Sequence, residues 1–533
     1  MKILPVSLIR DADAYTIEHE PISEIDLMER AASACFQWLE KHLDKGQKIM
    51  IFSGSGNNGG DGLVIARMLL LSGFRVAAFV LHGPEKMTPS CLANYERLLT
   101  MQPMPSAPPL PLVPSIQSAP SLPSSQGLCD GLLHPLSPSL ELPAIGKTDI
   151  VIDALFGSGL TRPADGFQAD LIRHINSSGA RVVAIDVPSG LFCDATSVER
   201  NNPPVIRADY TLTFSPPKLA FFFPENDAFV GEWQLLDIGI MQDFIDAAAV
   251  NNIMLDQPDM KHILRKRNKF SHKGNFGHTL LICGSLGKMG AAILSARACL
   301  RAGSGLVTVH LPKSGIPIVQ AAVPEAMISI DQDEHLFTAS PDLSAYSAIA
   351  IGPGIGTSEK TAAALKILIQ NSSLPILFDA DAINLLSENK TWLGFIPRGS
   401  IFTPHPKEFE RLAGKSSNNF VRNRMQLDFS VKHQCYIVLK GAHTAITTPD
   451  GRCYFNSTGN PGMATGGSGD VLTGIIAGLQ AQGYSTLESC LLGVYLHGLS
   501  GDIAASAEGY EAMIANDIIV NLGKSFQTLY GKF

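Results

Sequence analysis

The 533-residue sequence predicts an α/β protein with two domains. Short apolar runs alternate with amphipathic stretches along most of the chain, and this alternation is typical of mostly parallel sheets with helices on both faces. The alternation stops near residues 241–260 and then restarts. A single hydrophobic core rarely serves a chain of this length, so we assign residues 1–245 to a first domain and residues 255–533 to a second.

In the first domain, apolar runs predict five strands, and the segment Gly62–Leu71 predicts a helix directly after the first of them. This alternation predicts a Rossmann-like, doubly wound sheet, whose ligands bind beyond the carboxyl ends of the strands. Residues from about 101 to 145 interrupt the pattern, and their Pro- and Ser-rich composition predicts a surface insertion. The predicted strands are Lys48–Ser53, Arg75–Leu81, Asp149–Ala154, Arg181–Val187 and Tyr210–Phe214.

The second domain repeats this style, with six predicted strands and an Ala-rich helix that begins near Gly287 and reaches Arg301. The small residues of that helix permit close packing or the close approach of a flat ligand. The two halves share no convincing internal repeat. The predicted strands are His278–Gly284, Leu306–Leu311, Ala348–Gly352, Ile376–Asp379, Ser400–Thr403 and Tyr436–Lys440.

Composition and charge argue against several classes of protein. A net charge of -8 argues against a nucleic-acid-binding protein, although local amides and lysines could still hold an anionic ligand. The nine cysteines are scattered and form no C-x-x-C pair, which indicates neither a disulfide framework nor a zinc site. No apolar run approaches the roughly 18–20 residues that cross a membrane, and the N-terminus lacks a signal peptide's apolar core. We therefore expect a cytoplasmic protein without membrane association.

Three glycine-flanked loops follow strands of the first domain. Because the carboxyl ends of parallel strands meet at one edge, Asp153 and Asp186 could face the first of these loops. There, Asn57 and Asn58 offer carbonyl oxygens that suit a monovalent cation or a sugar hydroxyl. The alternative is that the Asp residues merely cap turns. Lys218, just after a strand, could be catalytic or could face solvent. The loops are 54–62, 153–163 and 186–190.

The most glycine-rich stretch, residues 459–474, reads GNPGMATGGSGDVLTG and leads into an apolar helix. Unpaired amides and the positive end of the dipole bind anions at a helix start. Asp470 would repel a phosphate there, so we interpret it as a base that faces a reacting group while the amides hold the charge. The alternative is a glycine loop that Asp470 only caps. His405, between two prolines, is either a second functional residue or a structural one.

Together these motifs resemble those of the bifunctional NAD(P)H-hydrate repair enzymes over nearly the whole chain. They are SGxGNNGGDGLVxAR, DALFGxGL, AIDVPSG, GPGIG, FDADAIN, TPHPxEF, KGxxT and NPGMATGGSGDVLTG, in the order of that family. In the family, a YjeF N-terminal domain with NAD(P)HX epimerase activity precedes an ADP-dependent NAD(P)HX dehydratase domain with a ribokinase-like fold. The resemblance therefore implies the repair of hydrated NADH and NADPH.

The resemblance also implies roles for residues of the first domain. Asp186 would contact the substrate and act as the acid/base residue. Asn58, Asp153 and Ser189 would bind K⁺. The substrate segments would be Asn57, Asn58, Gly59, Gly60 and Asp61, and Gly157, Ser158, Gly159, Leu160, Thr161, Arg162 and Pro163.

In the second domain, the resemblance implies that Asp470 is the catalytic base and contacts the substrate. Lys407 stands where the family usually has Gly, which could alter the local turn. The implied hydrate-binding residues are Ala291, Gly354 and His405, and the implied nucleotide-binding residues are Lys440, Gly441, Ala442, His443, Thr444 and Gly469.

The implied chemistry joins two steps. The first domain would interconvert R- and S-NAD(P)HX, and the second would dehydrate the S epimer to NAD(P)H, with conversion of ADP to AMP and phosphate. Phosphate leaves far better than hydroxide, and Mg²⁺ is expected beside the ADP phosphates. The implied partners are NADHX, NADPHX and ADP, in a homo-oligomer. Two alternatives stay open: a small-molecule kinase of the ribokinase superfamily, and a ligand-binding or scaffold role for the N-terminal half.

Overall fold

The computed structural model describes residues 1–101, 132–197 and 204–531. The chain divides into two structural units, each with its own sheet. Among the described residues, none of the helices has the length and apolarity that a membrane span requires. The N-terminal unit comprises Leu4–Phe221 and Glu225–Ala248, and the C-terminal unit comprises Met1–Ile3, Phe222–Pro224 and Ala249–Phe533.

The strands of the N-terminal unit are β1 (Lys48–Ser53), β2 (Arg75–Leu81), β3 (Leu133–Leu136), β4 (Ile150–Ala154), β5 (Arg181–Ile185), β6 (Tyr210–Phe214) and β7 (Glu232–Leu236). They form one sheet in the order β3-β2-β1-β4-β5-β6-β7, and every neighbouring pair is parallel. The chain reverses its direction across the sheet between β1 and β4, which is where doubly wound folds bind ligands. The predicted fold class of this unit is thereby confirmed.

The helices of the N-terminal unit are α1 (Val6–His19), α2 (Glu24–His42), α3 (Asn57–Leu71), α4 (Pro89–Leu99), α5 (Gly166–Ser177), α6 (Asp227–Val230) and α7 (Gln242–Ala247). The sequence prediction for α3 is wrong at its start, which lies at Asn57 rather than Gly62, because glycine disfavours helix interiors and packing overrides that propensity. A Cβ at Gly59 would lie 1.9 Å from the carbonyl oxygen of Gly54, and a Cβ at Gly62 would lie 2.6 Å from the Cβ of Ala154. The glycines therefore let α3 lie directly on the ends of β1 and β4. The first predicted substrate segment is thus the start of a helix.

Two further predictions need correction. The predicted insertion includes β3, which pairs in parallel with β2, whereas residues 102–131 of that insertion lie outside the described residues. Strand β5 ends at Ile185 rather than at Val187, because Asp186 adopts a left-handed backbone conformation with φ 62°. The end of β5 is therefore a sharp turn that re-aims the Asp186 side chain.

The strands of the C-terminal unit are β8 (Asn252–Met254), β9 (His278–Ile282), β10 (Leu306–Leu311), β11 (Met327–Ile330), β12 (Ala348–Ile351), β13 (Ile376–Phe378), β14 (Ile401–Phe402), β15 (Tyr436–Leu439), β16 (Ala445–Thr447) and β17 (Cys453–Phe455). Their order is β11-β10-β9-β12-β13-β14-β15-β16-β17-β8. Pairing is parallel from β11 to β15, and β16 runs antiparallel to both of its neighbours. The six predicted strands all exist, and the residues predicted beyond the ends of most of them lie in loops.

The helices of the C-terminal unit are α8 (Gln257–Ile263), α9 (Met289–Ala302), α10 (Ile316–Ala322), α11 (Glu359–Asn371), α12 (Ala380–Glu388), α13 (Pro406–Ala413), α14 (Asn419–His433), α15 (Ser468–Ala481), α16 (Thr486–Glu508) and α17 (Ala515–Tyr530). Helix α15 packs closely on the Ala-rich α9. A Cβ at Gly474 would lie 2.2 Å from the carbonyl oxygen of Ser295, and a Cβ at Gly478 would lie 2.7 Å from that of Cys299. The hydroxyl of Ser295 also donates to the carbonyl oxygen of Asp470 at 3.0 Å, which fixes the first turn of α15.

Candidate active sites

The first candidate site lies where the order of the N-terminal sheet reverses. Asp153, at the end of β4, is fully buried and accepts hydrogen bonds from Ser189, at 2.6 Å from Oγ and at 2.8 Å from the backbone N. The backbone N of Leu155 donates a third at 3.2 Å. Burial raises the pKa of Asp153 to about 6, although these hydrogen bonds oppose the rise. The structure therefore brings Ser189 against the buried carboxylate of Asp153.

Asn58 lies next to this pair with its side chain unsatisfied. It is 9% exposed, and neither Oδ1 nor Nδ2 has a hydrogen-bond partner among the described residues. A Cβ built on Gly157 would lie 3.2 Å from the Cβ of Asn58 and 3.2 Å from Oδ2 of Asp186. The residue before Gly157 is Phe156, whose N–H donates to Oγ of Ser189 at 2.8 Å. Because buried polar groups are normally paired, the free amide of Asn58 indicates a ligand position.

Asp186 and Lys218 form the charged centre of the site. Nζ of Lys218 lies 2.6 Å from Oδ1 of Asp186, and Lys218 is only 2% exposed. Lys218 also donates to the carbonyl oxygen of Phe214 at 2.8 Å, and the backbone N of Ser158 donates to Oδ2 of Asp186 at 3.1 Å. Left-handed backbone at a non-glycine residue costs roughly 1–3 kcal/mol and concentrates at functional sites. The geometry therefore places Lys218, which the sequence left open, inside the candidate site.

The two predicted substrate segments differ in how many of their polar groups already form hydrogen bonds within the protein. Asn57 is exposed, but its amide donates to Oε1 of Glu24 at 2.8 Å and accepts from Oγ1 of Thr88 at 2.8 Å. Loop 157–163 contains no helix or strand, and its last three residues are exposed. The loop is therefore the segment with more backbone available to a substrate.

Two further carboxylates interact electrostatically with Asp186. Burial raises the pKa of Asp61, on α3, well above its usual range, and the charges of Asp186 and Asp13 raise it further. Burial also raises the pKa of Asp13, on α1, to about 6, with a further rise from Asp186 and a lowering by Lys218. Asp61 lies in a predicted substrate segment, whereas sequence reasoning missed Asp13, because a single Asp in an amphipathic helix carries no local signal.

The second candidate site lies beyond the carboxyl ends of the parallel strands of the C-terminal unit. Gly354, in the loop after β12, has φ 67°, and a Cβ there would lie 3.1 Å from the carbonyl oxygen of Lys288 and 3.3 Å from the Cβ of Ala291. Its carbonyl oxygen accepts from Oγ of Ser285 at 2.7 Å. The predicted hydrate-binding residues Gly354 and Ala291 therefore come together.

Lys440 connects the end of β15 with the start of α15. Its Nζ lies 2.9 Å from Oδ1 of Asp379, and a Cβ on Gly469 would lie 3.3 Å from the same Nζ. Oδ2 of Asp379, a residue that is 1% exposed, accepts from Oγ1 of Thr473 at 2.8 Å. Burial lowers the pKa of Lys440, but the charges of Asp379 and Glu408 outweigh it, so the pKa is raised. A firmly charged ammonium group thus adjoins the amides of the glycine loop.

Asp470 lies in the first turn of α15, within the electrostatic reach of this pair. Burial raises its pKa to about 6, the charges of Asp379 and Asp381 raise it further, and Lys440 opposes them. A general base is most effective when its pKa lies near the working pH. The environment of Asp470 therefore suits proton abstraction at neutral pH.

His405 has a structural role in the same site. It is the N-cap of α13, and its Nδ1 accepts from the backbone N of Lys407 at 3.1 Å and of Glu408 at 3.3 Å. Burial lowers the pKa of His405, Glu408 opposes this change, and Lys440 adds to it. Its Nε2 lies 3.5 Å from Oε1 of Glu408, and Lys407 fits an ordinary capped helix start.

The predicted nucleotide segment, Lys440–Thr444, forms the turn between β15 and β16. Oγ1 of Thr444 donates to the carbonyl oxygen of Gly441 at 3.1 Å, and the backbone N of Gly441 lies 3.3 Å from the same hydroxyl. Nδ1 of His443 lies 3.1 Å from the carbonyl oxygen of Asn456, and the two residues after Lys440 are exposed. Hydrogen bonds within the turn therefore stabilise its conformation, and its backbone is exposed to solvent at the two residues after Lys440.

Sequence reasoning also missed two groups of the second site, Thr473 and Glu408. Thr473 could have been found, because it lies three residues after Asp470 and therefore on the same face of α15. Glu408 is 6% exposed, its carboxylate accepts from the backbone N of His405 at 2.8 Å, and its Oε2 lies 3.9 Å from Nζ of Lys440, so it caps α13 and faces the lysine.

These features are those of an enzyme with two centres: a doubly wound unit with a buried aspartate–lysine pair, and a second α/β unit with an aspartate in the first turn of a helix that follows a glycine loop. A family model described as YjeF-related protein N-terminus matches residues 24–220, and one described as NAD(P)H-hydrate dehydratase matches residues 279–524. The bifunctional NAD(P)H-hydrate repair enzyme Nnr of Moorella thermoacetica is 36% identical over 511 residues, which are 93% of this chain and 91% of that protein. The Nnr of Coxiella burnetii is 34% identical over 524 residues, which are 96% and 97% of the two chains.

The chain therefore belongs to the bifunctional NAD(P)H-hydrate repair enzymes, which combine an epimerase domain with a dehydratase domain. The family predicted from the motifs is confirmed, and the matches favour it over a small-molecule kinase or a scaffold. Among solved structures, the ADP/ATP-dependent NAD(P)H-hydrate dehydratase from Bacillus subtilis is 30% identical, with a TM-score of 0.47, and covers 53% of this chain and 100% of its own.

Proposed function

We propose that the N-terminal unit interconverts R- and S-NAD(P)HX, and that the C-terminal unit dehydrates the S epimer with ADP, which is converted to AMP and phosphate. One observation carries the proposal: each unit holds a lysine–aspartate pair beyond the carboxyl ends of its parallel strands. The pairs are Lys218 with Asp186 at 2.6 Å and Lys440 with Asp379 at 2.9 Å. In each unit, a further carboxylate interacts electrostatically with the pair: Asp61 with the first and Asp470 with the second.

Asp186 would act as the acid/base residue of epimerisation. The ammonium of Lys218 balances its negative charge, and the turn at φ 62° holds the carboxylate against loop 157–163 through the backbone N of Ser158. The Asp186 carboxylate would accept a proton and return it, with the ammonium of Lys218 2.6 Å away. The substrate would lie along the loop, with the Asn57–Asp61 segment closing the site from α3.

The donor groups beside Asp186 fit a potassium ion. Hard monovalent cations prefer oxygen ligands, and Oδ1 of Asn58 is a buried oxygen that lacks a partner among the described residues. Asp153 contributes a buried negative charge, and Ser189 contributes a hydroxyl oxygen 2.6 Å from that carboxylate. We therefore assign K⁺ to Asn58, Asp153 and Ser189. The ion would supply positive charge that neutralises Asp153 and helps to hold an anionic substrate.

In the C-terminal unit, Asp470 would take a proton from the substrate hydroxyl as that hydroxyl attacks the terminal phosphorus of ADP. Lys440 and the amides around Gly469 would hold the phosphates, and the turn Lys440–Thr444 would contact the adenine. The ring nitrogen then expels phosphate instead of hydroxide from the adjacent carbon, and the next ring carbon loses a proton to water, which restores the ring double bond. Positioning and charge stabilisation supply most of the rate in such transfers.

Mg²⁺ would lie beside the phosphates, where it spreads their negative charge. It usually takes one or two protein carboxylates together with phosphate and water oxygens. Asp381 fits this role: its Oδ2 accepts from the backbone N of Gly356 at 2.8 Å and lies 3.2 Å from Nζ of Lys288, whereas its Oδ1 has no hydrogen-bond partner among the described residues. The assigned hydrate positions Ala291 and Gly354 adjoin the same loop. The homo-oligomeric state and the cytoplasmic location stay predictions.

The test separates the two activities in one chain. We expect Asp186→Ala to reduce conversion of R-NADHX to the S epimer to the uncatalysed rate, while S-NADHX and ADP still yield NADH at the wild-type rate. Asp170→Ala is the matched control, because Asp170 is 66% exposed and pairs with its helix neighbour Arg173. Circular dichroism checks the fold. If Asp186→Ala epimerises R-NADHX at the wild-type rate, the assignment of Asp186 as the acid/base residue is refuted.

A further inference from the structure

Helix α1 directs one face towards the candidate epimerase site. Nη2 of Arg10 lies 3.3 Å from the carbonyl oxygen of Gly159, in the middle of loop 157–163. Thr16, two turns later, is fully buried, and its Oγ1 accepts from the backbone N of Met241 at 3.1 Å. Residues three apart share a helix face, so Asp13 lies between these two contacts on the same face.

Charged groups on four other elements interact electrostatically with Asp13. They are Glu24 at the start of α2, Asp61 of α3, Asp186 after β5 and Lys218 after β6, while Arg10 is its neighbour on α1. Asp13 forms no hydrogen bond or ion pair with the residues that the structure describes, so its carboxyl group is not committed to the fold. Burial and the nearby negative charges raise its pKa to about 6, so it retains a proton at higher pH than an ordinary Asp.

We infer that Asp13 is a second catalytic residue of the epimerase, which acts as the general acid opposite the base Asp186. This inference deepens the proposed function and rests on it. Two carboxyl groups in one site can divide acid and base work when their surroundings differ. Nζ of Lys218 lies 2.6 Å from Oδ1 of Asp186, whereas Asp13 has no such cationic partner among the described residues.

The chemistry of the hydrate requires such a pair. Water added to the reduced ring leaves a carbon that carries both a hydroxyl and the ring nitrogen. Asp186 removes the hydroxyl proton, the oxygen electrons form a carbonyl, and the carbon–nitrogen bond breaks with its electron pair moving to nitrogen. Asp13 protonates that nitrogen. The opened aldehyde rotates, nitrogen attacks its other face, and both protons return to their donors, so that no oxidant, reductant or additional water is consumed.

Asp61 is the other candidate for the acid, and the structure favours Asp13. Asp61 is 8% exposed and lies in the buried first turns of α3, whereas Asp13 is more exposed and adjoins the loop contact of Arg10. Asp61→Asn therefore serves as a comparison, for which we expect a smaller loss of rate than for Asp13→Asn.

The experiment uses the full chain with R-NADHX as the probe. We expect Asp13→Asn to lower kcat for epimerisation about 100-fold or more, the usual contribution of one acid, and to remove the alkaline fall of the wild-type pH profile above about pH 6. Asp13→Glu should recover part of the activity, with a shifted alkaline limb. Asp11→Asn is the matched control, because Asp11 is exposed on the same helix.

Wild-type kcat with an unchanged pH profile in Asp13→Asn would overturn the inference. So would a loss that Asp13→Glu does not relieve, because that outcome indicates a structural role. If Asp13→Asn fails to fold by circular dichroism, the Asp13→Glu profile decides alone. The two levels of proposal are distinguishable: if Asp186→Ala loses epimerisation and Asp13→Asn does not, only the role of Asp13 fails, whereas wild-type rates in both variants refute the epimerase site itself.

Discussion

Replacing the base of the dehydratase should stabilise the protein at alkaline pH. The pKa of Asp470 rises from 3.8 to about 6, mainly through burial, so the folded state disfavours its ionised form. A group with a raised pKa contributes fully to stability below the unfolded value, and the contribution is lost as pH rises through the folded value. In Asp470→Asn the side chain carries no charge to bury. The variant therefore keeps its stability at pH 8, whereas the wild-type protein loses part of its stability there.

The magnitude follows from the size of the shift. About two pKa units at roughly 1.4 kcal/mol each give about 3 kcal/mol as an upper value. Asp470 is only partly buried, and solvent screening reduces this to about 2 kcal/mol. For a unit of this size, the unfolding midpoint should then rise by roughly 4 °C at pH 8, and the gain should shrink steadily towards pH 4.

Scanning calorimetry of the full chain from pH 8 to pH 4.5 measures this difference. Added ADP identifies the transition of the C-terminal unit, because a ligand raises the midpoint of the unit that binds it. Asp428→Asn is the matched control, since Asp428 is exposed on α14. Two results would refute the reasoning: Asp470→Asn is no more stable than wild type at pH 8, or its gain in stability is the same at every pH. Either result would mean that burial does not disfavour the ionised form of Asp470.

Two further variants test the assigned ligands. Asn58→Ala should abolish the stimulation of epimerisation by K⁺ over Na⁺ in a rate assay, because it removes the buried amide oxygen, and S-epimer dehydration should be unchanged; retained K⁺ stimulation would contradict the assignment. Lys440→Met should raise the KM for ADP and lower the free energy of unfolding by about 3 kcal/mol in urea titrations, because it leaves the 1% exposed Asp379 without its cation. An unchanged urea midpoint would show that the pair contributes no stability.

Much of the first site could be predicted from the order of strands. Once parallel strands are recognised, their carboxyl ends must share one edge, which brings Asp153 and Asp186 to that edge, whereas the role of Ser189 is implied by the family resemblance. The amphipathic α1 could not be placed in this way, because where a helix packs depends on contacts distant in sequence. No local feature of the sequence therefore marked Asp13 as a site residue, and none distinguished Lys218 from an exposed lysine.

Local propensity accounts for the errors in the fold. The early start of α3 needs glycines in a helix, which intrinsic preference opposes and close packing on β1 and β4 allows. Strand β3 has four residues, includes Pro135 and follows a Pro-rich stretch, so composition concealed it. In the C-terminal unit the glycine loop predicted a helix directly after it, and α15 begins there at Ser468, because sequence and packing favour the same structure.

The central claim is that the glycine loop and Asp470 use ADP to eliminate water from a hydrated nicotinamide. The most direct measurement incubates the chain with S-NADHX and follows the return of NADH absorbance with ADP, with ATP and without nucleotide. The account predicts that absorbance returns with ADP, stays absent without nucleotide, and is lost in Asp470→Asn although that variant still binds ADP. Failure of the wild-type chain to restore absorbance with either nucleotide would contradict the account, and so would undiminished turnover by Asp470→Asn.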